Sequence, residues 1–154
     1  MTGFNIAFTG ATVPGDLVMA VGQIQLGGFR EDFQAEIGYW SIKDYEASWT
    51  AALRRLLAGR TVSCLVTSLP NPQIANFITT WPLYRDGRDI FVRNQLLFVD
   101  QLPSPFAPNT PWESVDPRTD DEGPVTEWNI TLTDIENFLD SPTAPARQNS
   151  YRTL

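Results

Sequence analysis

Residues 77–102 decide the fold, and they read FITTWPLYRDGRDIFVRNQLLFVDQL. The stretch contains two extended runs rich in aromatic and β-branched residues, Phe77 to Tyr84 and Ile90 to Val99. Between the runs, Asp86-Gly87 is a typical hairpin-turn dipeptide. Aromatic and β-branched residues on both sides of a glycine turn favour a β-hairpin over a helix. Because both faces of each run carry apolar groups, we predict that the hairpin is central in its sheet.

A polar triplet, Arg93-Asn94-Gln95, interrupts the second apolar run. Two interpretations stay open at this point. The triplet either satisfies a buried polar network, which is the interpretation we prefer, or it reaches the surface as part of a binding face.

Alternating apolar residues predict further strands on both sides of this hairpin. These strands cover residues 4–8, 17–26, 29–39, 61–67 and 125–132. A first helix begins after Ser41, a good N-cap, and ends before Gly59. Tyr45 and Trp49 recur at helical spacing on it and are expected in the core rather than on a ligand platform. A second, short helix is expected to open on the capping box formed by Thr133 and Glu136.

Sequential hairpins and two capped helices predict an α+β fold. The expected architecture is a single mostly antiparallel sheet of about seven strands, with the two short helices packed on it. Residues 1–140 form one globular domain in this prediction, and residues 141–154 form a flexible C-terminal tail. No apolar run approaches the roughly 18 residues of a membrane-spanning helix, and no secretory signal is evident, so a cytoplasmic protein without a membrane partner is expected.

The composition removes most catalytic chemistries. The chain has no histidine and one cysteine, Cys64, so triads and zinc sites that need histidine are excluded within this chain. Cys64 is expected to be a small buried hydrophobic residue. Paired carboxylates remain the only self-contained acid–base option, and any acidic chain supplies such pairs. We therefore predict that the protein is not an enzyme.

The negative charge is concentrated in one segment. The net charge is −7, and residues 1–99 hold eight acidic and eight basic side chains. Residues 100–140 hold ten acidic side chains and only Arg118. An acidic field repels nucleic acid and attracts basic proteins, chiefly by steering their encounter. The alternative, that this charge only solvates the surface, stays open at this point.

The acidic segment includes a long proline-rich connection, residues 103–124. Phe106 and Trp112 are expected to pin it to the body of the protein. Within it, the candidate partner-binding residues are Asp116, Asp120, Asp121 and Glu122. A calcium loop over the same residues is a poor match, because Arg118 replaces a ligand and Asp121 occupies the position that requires glycine.

Three blocks of sequence together resemble a known family. They are WTAALRRLLAGRTVSCLVTS at residues 49–68, WPLYRDGRDIFVRNQLLF at residues 81–98 and EWNITLTDIENFL at residues 127–139. The pattern resembles the immunity proteins of bacterial contact-dependent growth inhibition (CDI) systems, over residues 28–139, and the middle block is its most specific part.

The resemblance implies a function in protein binding. Such a protein binds the toxic C-terminal domain of a cognate effector in the cytoplasm and neutralises it, without a cofactor. We therefore expect a monomeric, acidic inhibitor whose partner is a toxin domain, a basic nuclease being one candidate class, and not a nucleic acid. The alternative is a non-enzymatic scaffold or adaptor domain without a toxin partner, and a toxin reading frame next to the gene would distinguish the two.

Overall fold

A computed structural model describes residues 3–119 and 125–141 of the chain. Within these ranges the fold is α+β, as predicted, with eight strands and two α-helices. The strands are β1 (Phe4–Val13), β2 (Val18–Leu26), β3 (Phe29–Ile37), β4 (Val62–Ser68), β5 (Phe77–Asp86), β6 (Asp89–Val92), β7 (Gln95–Phe98) and β8 (Trp128–Thr131). The helices are α1 (Ile42–Leu57) and α2 (Leu132–Asp140). The tail beyond Ser141 lies outside the described residues, so the division at residue 140 remains a prediction.

The strands form two antiparallel sheets, so the prediction of a single sheet is wrong. Sheet A has the order β1-β2-β3, and sheet B has the order β4-β5-β6-β8 with β7 also paired to β5. After β3 the chain passes through α1 and returns as β4, whose ladder partner is β5. The Glu36 N–H donates to the Ser68 hydroxyl at 3.2 Å where β3 and β4 approach each other. The sequence lacked a signal for this break, because hairpin patterns identify neighbours within a sheet but not which sheet a strand joins.

The central hairpin is confirmed. On the edge opposite β4, strand β5 pairs with β6 through residues 83–86 and with β7 through residues 77–80. The turn between β5 and β6 contains Gly87 and Arg88, and Gly87 has the positive φ of 63° that a tight hairpin turn requires at its first position. The break between β6 and β7 consists of Arg93 and Asn94, the first two residues of the polar triplet.

The two sheets and both helices share one core. The ring of Phe29 in sheet A stacks on Trp128 in sheet B, with centroids 4.5 Å apart. Trp49 of α1 packs against Phe8 of sheet A at 5.0 Å. Its indole N–H donates to the Val66 carbonyl of β4 at 2.8 Å. Helix α1 therefore joins sheet A to sheet B, and Tyr45 and Trp49 are core residues, as predicted.

Both helix starts carry capping boxes, but the second differs from the predicted one. In α1, Ser41 and Asp44 exchange side-chain to backbone hydrogen bonds of 2.9 and 3.2 Å. Ser41 is therefore the N-cap, as predicted. In α2 the reciprocal pair is Thr131 with Asp134, at 2.9 and 3.2 Å. Thr133 does not cap α2, because the last residue of β8 already has the extended backbone that an N-cap needs.

Candidate functional site

A long connection covers one face of sheet B. It follows β7, contains the short helical turns Val99–Gln101 and Pro111–Glu113, and is described as far as residue 119. As predicted, it is pinned by aromatic side chains: Phe106 is buried, and the guanidinium of Arg55 lies 3.9 Å from the ring centre of Trp112. The opposite face of sheet B packs on sheet A and α1. Strands β4 and β5 are therefore buried on both faces.

Asp116 lies at the outer surface of this connection. Its carbonyl accepts a hydrogen bond from the Tyr84 hydroxyl, and its N–H donates to the Gln95 side-chain oxygen at 3.1 Å. Both partners belong to the covered face of sheet B. The Asp116 residue itself is exposed. The fold thus fixes the Asp116 backbone and leaves its carboxylate facing solvent.

Beyond Asp116, two arginines hold one glutamate. The guanidinium of Arg118 donates twice to the Glu127 carboxylate, at 2.9 and 3.0 Å, and Arg93 donates to it at 2.8 Å. Arg93 keeps only 13% of its side chain exposed and Glu127 keeps 20%. Hydrogen bonds from Arg118 and then Arg93 lower the pKa of the Glu127 carboxyl below its usual value. We call these three residues the Glu127 cluster.

The Glu127 cluster answers the question left by the polar triplet. Arg93 bonds to Glu127, and Gln95 bonds to the Asp116 backbone, so the triplet secures the covering connection to sheet B. The structure therefore supports the polar-network interpretation for Arg93 and Gln95, whereas Asn94 is exposed. The sequence indicated that partners were needed, but it did not identify Glu127 or Asp116 as those partners.

Three of the four candidate acidic residues, Asp120, Asp121 and Glu122, lie outside the described residues. Arg118 and Glu127 stand on either side of them in the sequence and are bonded to each other. Of the four, only Asp116 is placed by the structure, and it is exposed as an interface residue must be.

The described residues offer little for catalysis. Cys64 is fully buried, and burial raises the pKa of its thiol to about 12, so it is a core residue as predicted. Burial also raises the pKa of Tyr45 to about 12, and its hydroxyl donates to the Glu36 carbonyl at 2.6 Å. Residues 3–119 and 125–141 contain no group of three or more side chains placed to hold a metal ion.

A second surface feature was missed in the sequence. An apolar cleft of 460 Å³ lies between the edge of sheet A and the start of β5. Its lining includes Leu17, Met19, Ile74 and Phe77. Phe77 was expected in a strand of the central hairpin, and it is. The pattern of apolar residues predicts the strand, but it does not reveal that the first residue of the strand is exposed in the folded protein.

No helix in the described ranges is long and apolar enough to cross a membrane. Residues 35–138 match the family model described as the CdiI N-terminal domain. The chain is 30% identical over 133 residues to the immunity protein CdiI of Enterobacter cloacae subsp. cloacae, a match covering 84% of this chain and 90% of that protein. It is also similar to a chain of the solved CdiA-CT/CdiI toxin and immunity complex from Enterobacter cloacae. That match has a TM-score of 0.80 and 27% identity, and it covers 95% of this chain and 99% of the other.

Proposed function

We propose that this chain, which belongs to the CdiI N-terminal domain family, is an immunity protein that binds and neutralises the cognate CdiA C-terminal toxin domain of a contact-dependent growth inhibition system. The observation that carries the proposal is the nearly full-length similarity to a chain of a toxin and immunity complex. A similarity that spans both chains involves the whole fold rather than one shared motif.

The proposed mechanism is stoichiometric binding rather than catalysis. An inhibitor of this kind needs no nucleophile, cofactor or metal, because it acts by occupying its partner. The burial of Cys64 and Tyr45 is consistent with this role. Neutralisation takes place in the cytoplasm of the producing cell, and a monomer is sufficient for one-to-one binding.

The proposed contact surface is the acidic segment around Asp116, with Asp120, Asp121 and Glu122. Two features support this choice. Residues 100–140 hold ten acidic side chains against one arginine, and Asp116 has a fixed backbone and an exposed position. A basic toxin domain, for example a nuclease that holds phosphates, would be steered towards such a surface.

The decisive test for the function is protection. Cells that express the cognate toxin domain should survive when this chain is co-expressed, and the purified proteins should form a one-to-one complex. Failure of the purified proteins to associate would overturn the proposal.

The acidic contact is tested by kinetics. Replacing Asp120, Asp121 and Glu122 together with lysine should slow association with the toxin by about tenfold at low salt, because charge complementarity acts mainly on the encounter rate. The difference should shrink in about 1 M NaCl, where the screening length is only about 3 Å. Association rates from stopped-flow fluorescence or surface plasmon resonance measure both effects.

A matched control separates local from overall charge. Glu31, Asp32 and Asp89 are exposed and lie outside the acidic segment. Replacing these three with lysine changes the net charge by the same amount. If this control slows association as much as the first variant, steering depends on overall charge, and the assignment of the acidic segment is wrong.

A further inference from the structure

The apolar cleft is unusual for its exposed side chains. Ile74 keeps 80% of its surface in contact with solvent, Leu17 keeps 58% and Phe77 keeps 47%. All three line the same cleft, together with Met19. Isolated apolar side chains are common on protein surfaces, whereas a contiguous exposed patch marks a site of interaction.

The patch continues from the cleft across β7. Phe98 lies directly opposite Phe77 in the ladder, and their rings are 6.4 Å apart. Leu96 lies opposite Thr79, which lines the cleft. Directly opposed residues project from the same face of a sheet, so Phe98 and Leu96 extend the apolar surface. Both are nearly half exposed, at 45% and 44%.

Among the described residues that line the cleft, Glu36 is the charged one, and its nearest acidic neighbours in the chain lie beside other residues of the patch. Glu36 is part of the lining, Asp16 precedes Leu17, and Asp100 follows Phe98 by two residues. No lysine or arginine is among the described residues that line the cleft. Residues 61–84, which supply most of the lining residues, contain no charged side chain. An apolar cleft with the Glu36 carboxylate in its lining is complementary to an apolar side chain flanked by basic residues.

We infer that this cleft is a second contact for the toxin domain, which inserts an apolar side chain there and places basic residues against Glu36 and its acidic neighbours. The inference rests on the proposed function and extends it, because the acidic segment and the cleft would bind different parts of one basic partner. The occupant is a protein surface, since the apolar patch continues beyond the cleft onto Leu96 and Phe98, which a small ligand held in the cleft would leave uncovered.

The two contacts differ in their kinetic effects. Surface charges act over several ångströms and change the association rate, whereas a desolvated apolar anchor acts only after contact and changes the dissociation rate. This difference distinguishes a cleft that binds the toxin from one that only contributes to the general surface.

The test uses Ile74→Ser and Phe98→Ser in the full-length chain, with the catalytically inactive cognate toxin domain as the probe. Each variant should raise the dissociation rate at least about tenfold, as expected for the loss of an apolar anchor. The association rate should remain within about twofold of the wild-type value. Surface plasmon resonance gives both rates, and a thermal unfolding curve for each variant reports its folding.

The matched control is Leu57→Ser, which removes an exposed leucine at the end of α1, outside the cleft. If Ile74→Ser and Phe98→Ser dissociate no faster than this control, the cleft inference is wrong, and the proposed function stands because the wild type still binds. If the wild type does not bind the toxin domain at all, both proposals fail together.

Two further outcomes are decisive. If sedimentation shows that the chain self-associates, and the cleft variants abolish this without changing toxin binding, then a second copy occupies the cleft and the inference is overturned. If Phe98→Ser unfolds, the dissociation rate of Ile74→Ser alone tests the inference. The Ile74 side chain is 80% exposed and contributes little to folding, so this variant should remain folded.

Discussion

Sheet A is buried on one face only, whereas the central strands of sheet B are buried on both faces. In sheet A the outer face is polar, and Gln23 of β2 donates to the directly opposed Asp32 of β3 at 3.0 Å. In sheet B, β4 and β5 pack on sheet A and α1 on one side and on the covering connection on the other. The sequences reflect this difference, because β3 alternates between apolar and charged residues whereas residues 61–84 contain no charge.

The difference shows where a partner surface can arise. A sheet with one polar face leaves that face in solvent, and in sheet A it carries mixed charges. A sheet buried on both faces needs a covering segment, and in this chain that segment carries the acidic residues. At the start of β5, the face of sheet B opposite the covering connection is left exposed, and there Phe77 lies in the cleft.

The largest expected effect concerns the inner face of sheet A. A methyl group at Gly22 would lie 2.2 Å from the ring of Phe33. That ring is itself held between Phe8 and Trp49, at 6.0 and 5.9 Å, so it has little freedom to move. Gly22→Ala should lower the free energy of unfolding by about 3 kcal/mol, the upper end for overpacking.

Urea denaturation measures this loss for Gly22→Ala. Gly28→Ala is the matched control, because a methyl group there meets nothing within 4 Å and its backbone does not have a positive φ. If the two variants have equal stability, the inner face of sheet A is not tightly packed.

An intermediate effect tests the second buried face of sheet B. Val66 is fully buried and lies opposite Thr80 on the covered face, whereas Val21 lies on the outer face of sheet A. Val66→Ala should lower the free energy of unfolding by about 2 kcal/mol, from lost burial and the cavity left behind. Val21→Ala should lower the free energy of unfolding by less than about 1 kcal/mol. Similar losses in chemical denaturation would contradict the distinction between the sheets.

The smallest expected effect concerns the Glu127 cluster, which holds the covering connection to sheet B. Glu127→Gln removes the charge shared by Arg93 and Arg118 and should lower the free energy of unfolding by about 1 kcal/mol at pH 7. The salt bridge between Arg88 and Glu136 supplies the control, because 64% and 49% of these side chains are exposed. Glu136→Gln should leave the free energy of unfolding almost unchanged.

The effect of Glu127 should depend on pH. Because its pKa is lowered in the folded protein, the stability that it contributes is fully present above the unfolded-state pKa of about 4.3. That contribution is lost as the pH falls through the lower folded-state value. Wild type and Glu127→Gln should therefore converge in acid. A constant difference in melting temperature between pH 7 and pH 3 would contradict an ionic role for Glu127.

Local signals in the sequence were sufficient for most elements. Ser41 with Asp44 and the glycine turns depend on contacts within a few residues, so their residue types carry the information directly. The second capping box was misplaced by two residues, because Thr131 and Thr133 are both good N-caps and only the end of β8 selects between them. The acidic candidates were proposed from charge alone, and of these the structure shows only Asp116, at an exposed position.

The amino-acid sequence was sufficient to predict the α+β class, the central hairpin, the core position of Tyr45 and Trp49 and the concentration of negative charge after residue 99. Each follows from periodicity, turn chemistry or composition, which are properties of short segments. Three features are visible only in the folded protein: the strands form two sheets, Glu127 joins Arg93 to Arg118, and Leu17, Ile74 and Phe77 line one cleft. These features depend on residues far apart in the chain, and the sequence pattern does not specify which distant surfaces pack together.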